Sequence, residues 1–363
     1  GVQIESLSIQ DFRSIGLTKL LFNKPINILC GENNAGKTTV LEAIYTSSNL
    51  RSFKSVPNNE LIKSGSKMFK ISLNYSKMAL KSNIFIEKSL KSSKCLYNNK
   101  KISKHNLSLM FPCYSLVFGF NNILLNDASY RRDFLDNGMF HVEPEAVKIT
   151  LNYEKCLKQR NFLLKSKKYS LLQTWDEQLI DQNQLLTNMR AKYFDSLNME
   201  FTQLINEMKS SLPSVYSEVS TLSLEYIKGW SGIEYSNVLK ECFEKDKALG
   251  YTTCGTHRSD IAVYTLGKPV KESGSMSTLV LACLIMNLAK MNVFHVKHGY
   301  KPTLLVDDLF FGIDDKNLST VVKLLVHSKG NIVLTAPNIY MDILEHICKE
   351  NDDIQLMNIG AKD

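Results

Sequence analysis

The sequence has no run of eighteen consecutive apolar residues, so it predicts no membrane span. Its first residues, GVQIESLSIQ, lack the basic and then apolar pattern of a signal peptide. None of its eight cysteines forms a C-x-x-C pair, which argues against a zinc site and against a disulfide framework. Together these absences predict a cytoplasmic protein in a reducing compartment.

Positive charge is concentrated in one part of the chain. The 363 residues are 44% hydrophobic and 22% charged, as in ordinary globular proteins of two or three domains. The formal net charge is +8, yet residues 54–104 alone hold twelve lysines and only two acidic residues, Glu60 and Glu87. A concentrated positive surface attracts polyanions, so this segment favours nucleic acid as a partner over a merely solvated lysine-rich face.

A phosphate-binding loop follows the first buried strand that the sequence predicts. Residues 31–38, GENNAGKT, match G-x-x-x-x-G-K-[ST] at every fixed position, between a predicted strand (INILC) and a predicted amphipathic helix (TVLEAIY). The backbone N–H groups of such a loop and the positive end of the helix dipole bind phosphate oxygens. The predicted nucleotide-binding residues are Gly31, Asn33, Asn34, Ala35, Gly36, Lys37, Thr38 and Thr39.

A second strand supplies the carboxylates that a phosphate-binding loop requires. The segment TLLVDD (303–308) predicts a buried strand that ends in two aspartates, and a helix and the strand NIVLTA (331–336) follow it. We expect Lys37 to contact the β- and γ-phosphates of ATP, and Thr38 and Asp307 to hold Mg²⁺. We expect Asp308 to orient or deprotonate the attacking water.

About 270 residues separate the two motifs, which predicts a large insertion between them. Pro144 can begin a helix that residues 147–168 continue, and a second helix is predicted from Asp176. The apolar stripe of the second helix contains Leu179, Leu186, Met189, Tyr193, Leu197, Phe201, Leu204 and Met208. This pattern predicts an antiparallel helix pair whose stripe packs rather than binds a ligand. The predicted domains are 1–110, 111–250 and 251–363, with the first and third forming one split nucleotide-binding head.

Several motifs together resemble the RecF family, a DNA-repair relative of the SMC and ABC-type ATPases, over nearly the whole chain. The matching segments are Phe12-Arg13, LRSFKS (50–55), YRRDFLDNGMFHVEP (130–144), KQRN (158–161) and CGTHRSD (254–260). In the last of these, Thr256 replaces the proline of the family's Gly-Pro-His-Arg motif. The resemblance implies an α/β fold, namely an ABC-type P-loop ATPase head with an inserted helical lobe.

The same resemblance implies a role in recombinational repair and the SOS response. A protein of this kind binds ATP and Mg²⁺, dimerises on ATP and binds DNA at gaps, at ssDNA–dsDNA junctions or as duplex. It supports RecA loading together with RecO and RecR. Candidate DNA or interface contacts are Arg51, Lys54, Arg131 and Arg132, for which surface ion pairing is an equally weighted alternative.

Two segments depart from the pattern of the family. The ABC-type signature Ser-x-Gly-Gln binds the γ-phosphate held by a partner head, and here Ser275 is retained while Ser277 and Thr278 replace the glycine and the glutamine. A side chain at the glycine position can obstruct the phosphate. In VFGFNNILLN (117–126), both Asn121 and Asn122 are candidates for the polar residue expected near Mg²⁺. Residues 335–340, TAPNIY, lack the switch histidine of transporter ATPases.

Three functions therefore compete. The leading hypothesis is an ATP-dependent DNA-binding clamp with weak, DNA-stimulated ATP hydrolysis, because Lys37, Thr38, Asp307 and Asp308 are all intact. The altered signature favours the alternative of an ATP-binding scaffold with little or no turnover. An ABC ATPase coupled to membrane transport is disfavoured by the basic segment and by the RecF-like YRRDFLD motif.

Overall fold

A computed structural model of the protein describes residues 1–33, 36–117, 123–210 and 217–360. The chain forms two compact units. The first contains Gly1–Asn122 and Phe294–Asp363, and the second contains Ile123–Val293. These boundaries differ from the predicted 111 and 250, because strands that follow residue 250 pair and pack with elements of the inserted unit.

The first unit contains two sheets. Their strands are β1 (Val2–Phe12), β2 (Ile15–Leu21), β3 (Ile26–Gly31), β4 (Met68–Lys77), β5 (Leu80–Ser89), β6 (Ser93–Tyr97), β7 (Lys100–Lys101), β8 (Cys113–Val117), β12 (Thr303–Asp307), β13 (Ile332–Pro337) and β14 (Ile354–Asn358). The six-stranded antiparallel sheet has the order β2-β1-β4-β5-β6-β7. The five-stranded parallel sheet has the order β14-β3-β13-β12-β8.

The burial of the strands explains the two kinds of sheet. Along β4, the alternate residues Phe69, Ile71, Leu73 and Tyr75 are buried, while the residues between them face outward. This is the pattern of an antiparallel sheet with one covered face. Every residue of β3 and β12 is buried, as in parallel sheets that are covered on both faces. The parallel α/β pattern was predicted from TLLVDD and NIVLTA, which form β12 and β13, and a buried strand was predicted at β3.

Among the described residues, four α-helices lie wholly in the first unit. They are α1 (Lys37–Asn49), α2 (Lys104–Met110), α10 (Asp315–His327) and α11 (Met341–Glu350). Helix α1 buries Val40, Leu41 and Ile44 in a core that also contains Leu29 of β3 and Leu305 of β12. This packing fixes the start of α1 close to the ends of the parallel strands.

The second unit is mainly helical. Its helices are α3 (Ala128–Val142), α4 (Glu145–Lys165), α5 (Leu172–Lys209), α6 (Ser217–Ser220), α7 (Tyr235–Leu249), α8 (Val270–Ser273) and α9 (Met276–His298), the last of which ends in the first unit. A small antiparallel sheet is formed by β9 (Ser223–Ile227), β10 (Asp260–Thr265) and β11 (Lys268–Pro269). Helices α4 and α5 form the predicted helix pair, with Pro144 as the N-cap of α4. Every member of the predicted stripe on α5 is buried except Met189, which is half-buried.

Helix α9 has the length and composition of a membrane span but the burial of a core helix. Within the described part of the chain, it is the one helix long and apolar enough to cross a bilayer, with a mean hydropathy of 1.7. Of its most apolar window, 83% is buried inside the fold. It therefore has the burial of a core helix.

Candidate functional site

The predicted phosphate-binding loop connects β3 to α1 in the first unit. Gly36 is the N-cap of α1 and has a φ of 89°, a left-handed conformation that glycine adopts without steric cost. Because this residue has no side chain to cap the helix, the first N–H groups of α1 stay available for an anion. Asn34 and Ala35, which were predicted to contact nucleotide, lie outside the described residues, and so do Asn121 and Asn122.

Lys37 occupies a buried position where two parallel strands end. Its Nζ donates to the carbonyl oxygens of Gly31 at 2.7 Å and Ala336 at 3.0 Å. Gly31 ends β3, and Ala336 lies near the end of β13, the neighbouring strand. The ammonium group is therefore held by two backbone acceptors at the strand ends, which is where a bound phosphate is expected in open parallel sheets.

The structure brings Thr38 and Asp307 together although 269 residues separate them. Thr38 Oγ1 lies 3.1 Å from each carboxylate oxygen of Asp307. Thr335, in β13, donates through its hydroxyl to Asp307 Oδ1 at 2.6 Å. The hydroxyl and the carboxylate are hard oxygen donors that face one another, and this is the donor set that Mg²⁺ prefers.

Asp308 has an unusual backbone conformation beside this pair. Its φ is 59°, in the left-handed region, and its backbone N–H donates to Thr335 Oγ1 at 3.0 Å. Partial burial and the adjacent Asp307 carboxylate raise the pKa of Asp308. Thr335 thus contacts both aspartates, a role that the sequence analysis missed. The sequence signal for this role was the position of Thr335 near the end of NIVLTA, the strand that pairs with TLLVDD.

A polar cavity of about 480 Å³ adjoins the start of α1. It is lined by Arg13, Ser14, Thr39, Glu42, Lys54, Glu60, Ile62 and Ser64. The buried Glu42 carboxylate accepts from Arg13 Nη2 at 2.9 Å and from Ser52 Oγ at 2.7 Å, with Lys54 Nζ at 3.9 Å. The cavity therefore has cationic and hydroxyl groups beside Thr39 and suits a polar ligand.

Residues 335–340 lack the switch histidine of transporter ATPases. In this segment the side chain of Asn338 forms a hydrogen bond. Asn338 Nδ2 donates to Glu32 Oε1 at 2.8 Å, and Cys30 Sγ lies 3.4 Å from the carbonyl oxygen of Pro337. These bonds join the end of β13 to the start of the phosphate-binding loop.

The four predicted DNA contacts have different environments. Arg131 is buried and bonded to both carboxylate oxygens of Asp260 at 2.6 and 3.0 Å, and its Nη1 donates to the carbonyls of Ile123 and Asn126. All three of its nitrogens are engaged inside the second unit, which favours the ion-pairing alternative for Arg131.

The other three predicted contacts are more accessible. Arg132 is half-buried and donates to the carbonyl of Ser259 at 2.9 Å, and partial burial together with nearby Arg190 lowers its pKa. Arg51 and Lys54 are exposed in the first unit, and the Arg51 guanidinium lies 5.9 Å from the ring centre of Tyr45. These three residues remain candidates for contact with a polyanion.

Residues 68–101 of the lysine-rich segment form β4 to β7 of the antiparallel sheet and the turns between them. Lys70 lies 3.5 Å from Glu87 and Lys81 lies 4.0 Å from Glu5, which partly neutralises the middle of the sheet. At the end of the sheet, a group of lysines is exposed: Lys91, Lys94, Lys100, Lys101 and Lys104. We call this group the lysine edge.

The altered signature lies at the start of α9 in the second unit. Thr278 donates to Glu218 Oε2 at 2.7 Å, and its own hydroxyl oxygen lies 3.0 Å from Ser275 Oγ. Ser275 Oγ also accepts from the backbone N–H of Thr278 at 3.2 Å. The hydroxyl groups thus form a chain from Ser275 through Thr278 to the Glu218 carboxylate. Glu218 was not identified from the sequence.

The CGTHRSD segment (254–260) is held by buried arginines. Arg190 pairs with Asp136 at 2.7 Å and donates to the carbonyl of Thr256 at 2.6 Å. His257 Nδ1 lies 2.7 Å from Tyr153 Oη, and burial lowers the pKa of His257 to about 4. A neutral histidine in such a network positions the backbone around it, so this motif has a structural role in the second unit.

Comparisons with known proteins agree with this geometry. A family described as an AAA ATPase domain matches residues 3–247. The DNA replication and repair protein RecF of Photorhabdus laumondii is 30% identical over 342 residues, covering 92% of this chain and 91% of its own. Among solved structures, the recombination mediator protein RecF–ATPrS of the RecFOR pathway gives a TM-score of 0.78 at 22% identity, covering 99% of this chain and 97% of its own.

A more distant solved structure extends the fold likeness. The SMC head domain of Pyrococcus furiosus gives a TM-score of 0.58 at 14% identity and covers 99% of this chain and 94% of its own. The fold is therefore that of an ABC-type ATPase head with an inserted helical lobe.

Proposed function

The chain belongs to the RecF family of DNA replication and repair proteins, and on this premise we propose that it binds ATP, dimerises on ATP and then binds DNA. The observation that carries the proposal is the convergence of Lys37, Thr38 and Asp307, from distant parts of the sequence, at the ends of neighbouring parallel strands. The solved RecF structures that are similar in fold include one described with ATP.

In this proposal the triphosphate occupies the loop between β3 and α1. The N–H groups of the first turn of α1 donate to phosphate oxygens, and Lys37 exchanges its two carbonyl acceptors for the β- and γ-phosphates. Thr39 lines the adjoining polar cavity. Gly31 and Asn33 supply the backbone at the start of the loop.

In this proposal, Mg²⁺ and the attacking water bind at the end of β12, beside Asp307 and Asp308. Thr38 and Asp307 would hold Mg²⁺, which supplies charge neutralisation of the phosphates when it is bound. Thr335 orients the Asp307 carboxylate through its hydroxyl and fixes the Asp308 backbone at the same time. Asp308, whose pKa is raised, is placed to accept a proton from an attacking water or to orient it.

Dimerisation and DNA binding are the finer parts of the proposal. Ser275, at the start of α9, would bind the γ-phosphate held by a second copy. The lysine edge, with Arg51, Lys54 and Arg132, would contact the DNA backbone, so DNA affinity should fall steeply with added salt. By the family likeness, the DNA is a gap or an ssDNA–dsDNA junction, the protein partners are RecO- and RecR-like, and the outcome is RecA loading.

The first experiment tests ATP-dependent DNA binding with Lys37→Met. We expect the variant to lose at least about tenfold in ATP affinity, because the ammonium is the one side-chain cation expected at the phosphates. It should also lose the increase in affinity for gapped DNA that ATP and Mg²⁺ give to the natural protein. Nucleotide titration by fluorescence and DNA binding by anisotropy measure the two effects.

The matched control is Lys323→Met, which removes an exposed lysine of α10 in the same unit. It should leave both affinities unchanged. A DNA affinity of the natural protein that is the same with and without ATP would disprove the proposal.

A second candidate function is an ATP-binding scaffold with little hydrolysis. Its support is the Thr278–Glu218 bond, which engages the residue that stands where the signature glutamine is expected. Phosphate release should then be near background with gapped DNA and should rise in the double variant Ser277→Gly/Thr278→Gln. If the natural protein and the double variant hydrolyse ATP at equal and appreciable rates, the DNA-binding clamp with weak hydrolysis is the better description of the protein.

A further inference from the structure

Two thiols in the second unit are unusually close. Cys242 Sγ lies 2.9 Å from Cys254 Sγ, and the two residues are twelve positions apart in the chain. Both are free cysteines and both are half-buried, so small solutes can reach them. A disulfide bond needs a sulfur–sulfur distance of about 2.05 Å, so less than an ångström of movement would bring the sulfurs to bonding distance.

The backbone on both sides of this pair is fixed by contacts that do not involve sulfur. Tyr235, Cys242 and Asp246 are spaced along one face of α7. Tyr235 Oη donates to the carbonyl of Cys254 at 2.6 Å. Asp246 Oδ1 accepts from the backbone N–H of Thr253 at 2.9 Å and from its hydroxyl at 2.6 Å. The same face of α7 thus binds the chain immediately before and at Cys254.

The anchoring carboxylate is itself held from another helix. Asp246 is buried, and its second oxygen accepts from Arg160 Nη1 at 2.7 Å. The guanidinium of Arg160 also donates to Thr252 Oγ1 at 2.9 Å. Helices α4 and α7 therefore hold residues 252–254 in place, and the approach of the two sulfurs is a property of this framework rather than of one mobile side chain.

We propose that Cys242 and Cys254 form a thiol modification site that a peroxide converts reversibly into an intramolecular disulfide. One thiolate attacks a peroxide oxygen and breaks the O–O bond, which gives a sulfenic acid and releases hydroxide that is protonated to water. The second thiol then attacks the sulfenic sulfur and releases another water. Two thiols lose two hydrogens in total and hydrogen peroxide becomes two waters. A dithiol reductant restores both thiols by exchange.

The geometry favours the second of these steps. A sulfenic acid on either residue lies next to the thiol of the other residue. Formation of the disulfide should therefore be faster than further oxidation of the sulfenic acid. Burial and the neighbouring thiol raise the pKa of Cys242 to about 11, which keeps the Cys242 thiol protonated at neutral pH. Oxidation should therefore accelerate as the pH rises from 7 to 9, because the thiolate is the reactive form.

The test uses the full-length reduced protein and hydrogen peroxide. After treatment and thiol blocking, digestion without reductant and mass spectrometry should find the peptides of Cys242 and Cys254 joined, with the loss of two hydrogens. A dithiol should reverse the bond. The oxidised protein should also melt at a higher temperature than the reduced protein, since the bond restrains the unfolded chain.

Matched variants separate this site from the other cysteines. Cys242→Ser and Cys254→Ser should each abolish the joined peptides and the melting shift, whereas Cys348→Ser, at a half-buried cysteine of α11, should keep both. The proposal is overturned if Cys242 or Cys254 is oxidised to the sulfinic or sulfonic acid, or bonds to a different cysteine, while the expected pair stays unjoined. Because the mass measurement uses the natural chain, a variant that fails to fold does not weaken it.

Discussion

Lys37 of the first unit and two buried arginines of the second unit have different kinds of partner. In the first unit, Lys37 is bonded to two neutral backbone carbonyls, which a more negative ligand can replace. In the second unit, Arg190 and Arg160 are each bonded to buried or half-buried carboxylates, which nothing is expected to displace. From this difference we infer that a buried arginine or lysine can bind a ligand only when the ligand is a stronger acceptor than the groups it contacts in the free protein.

The largest expected effect is a loss of stability in the second unit. Arg190→Met would leave the Asp136 carboxylate buried without its partner, which should cost about 3–5 kcal/mol of unfolding free energy. Lys37→Met, by contrast, removes a donor from two neutral carbonyl acceptors and should cost less, about 1–3 kcal/mol. Urea denaturation of the ligand-free variants measures both.

Arg51→Met, at an exposed arginine, is the control and should change stability by less than about 0.5 kcal/mol. Equal losses in Arg190→Met and Lys37→Met would remove the contrast between the units.

A comparable effect, but one that depends on pH, is expected from Lys290 in the second unit. Its Nζ donates to Asn137 Oδ1 at 2.9 Å, and burial lowers the pKa of Lys290 to about 7. Because the folded pKa lies below the unfolded value, protonation penalises the folded state below pH 7, and the penalty is lost as pH rises toward the unfolded pKa. Lys290→Met should be more stable than the natural protein at pH 7, and this advantage should shrink by about 1.4 kcal/mol per pH unit up to pH 10.

Denaturation of both proteins between pH 7 and 10 checks the Lys290 prediction. Lys297→Met, an exposed position on the same helix, should show no such trend. A difference between Lys290→Met and the natural protein that does not vary with pH would contradict the assignment.

The smallest expected effect concerns the signature segment. Glu218 places a carboxylate on Thr278 at the start of α9, where a phosphate from a second copy is proposed to bind. Since like charges repel, Glu218→Gln should lower the ATP concentration needed for dimerisation by about threefold to tenfold. Sedimentation at a series of ATP concentrations measures this, with Glu241→Gln on α7 as the control. A higher ATP requirement in Glu218→Gln would show that the carboxylate assists docking.

The sequence predicted those parts of the fold that are periodic or that contain a compact motif. The apolar runs at 26–30 and 303–306 became parallel strands, and the stripe on α5 became a packed face. The partnership of Thr38 with Asp307 followed from the known requirement of a phosphate loop for a carboxylate. In each case local composition and one general rule were sufficient.

Contacts between distant residues could not be predicted in the same way. Arg131 and Asp260 are 129 positions apart, and no local pattern relates them. Arg131 was therefore given as a candidate contact with DNA or an interface, with ion pairing as an equal alternative and no partner named. The pairing of β9 with β10 likewise placed residues beyond 250 in the helical unit. Cys242 and Cys254 have no recognised spacing, yet α7 and the chain after it bring their sulfurs together. These relations depend on tertiary packing.

The bond from Lys37 to Ala336 has a consequence for how an arriving nucleotide is sensed. When the ammonium turns to a triphosphate, the carbonyl near the end of β13 loses its donor, and a buried acceptor without a partner costs about 1–3 kcal/mol. The residues that follow β13 include Asn338, which is bonded to Glu32, and Ile339, which is 83% exposed. In the proposed nucleotide complex, this cost would therefore fall beside an exposed apolar group of the same unit.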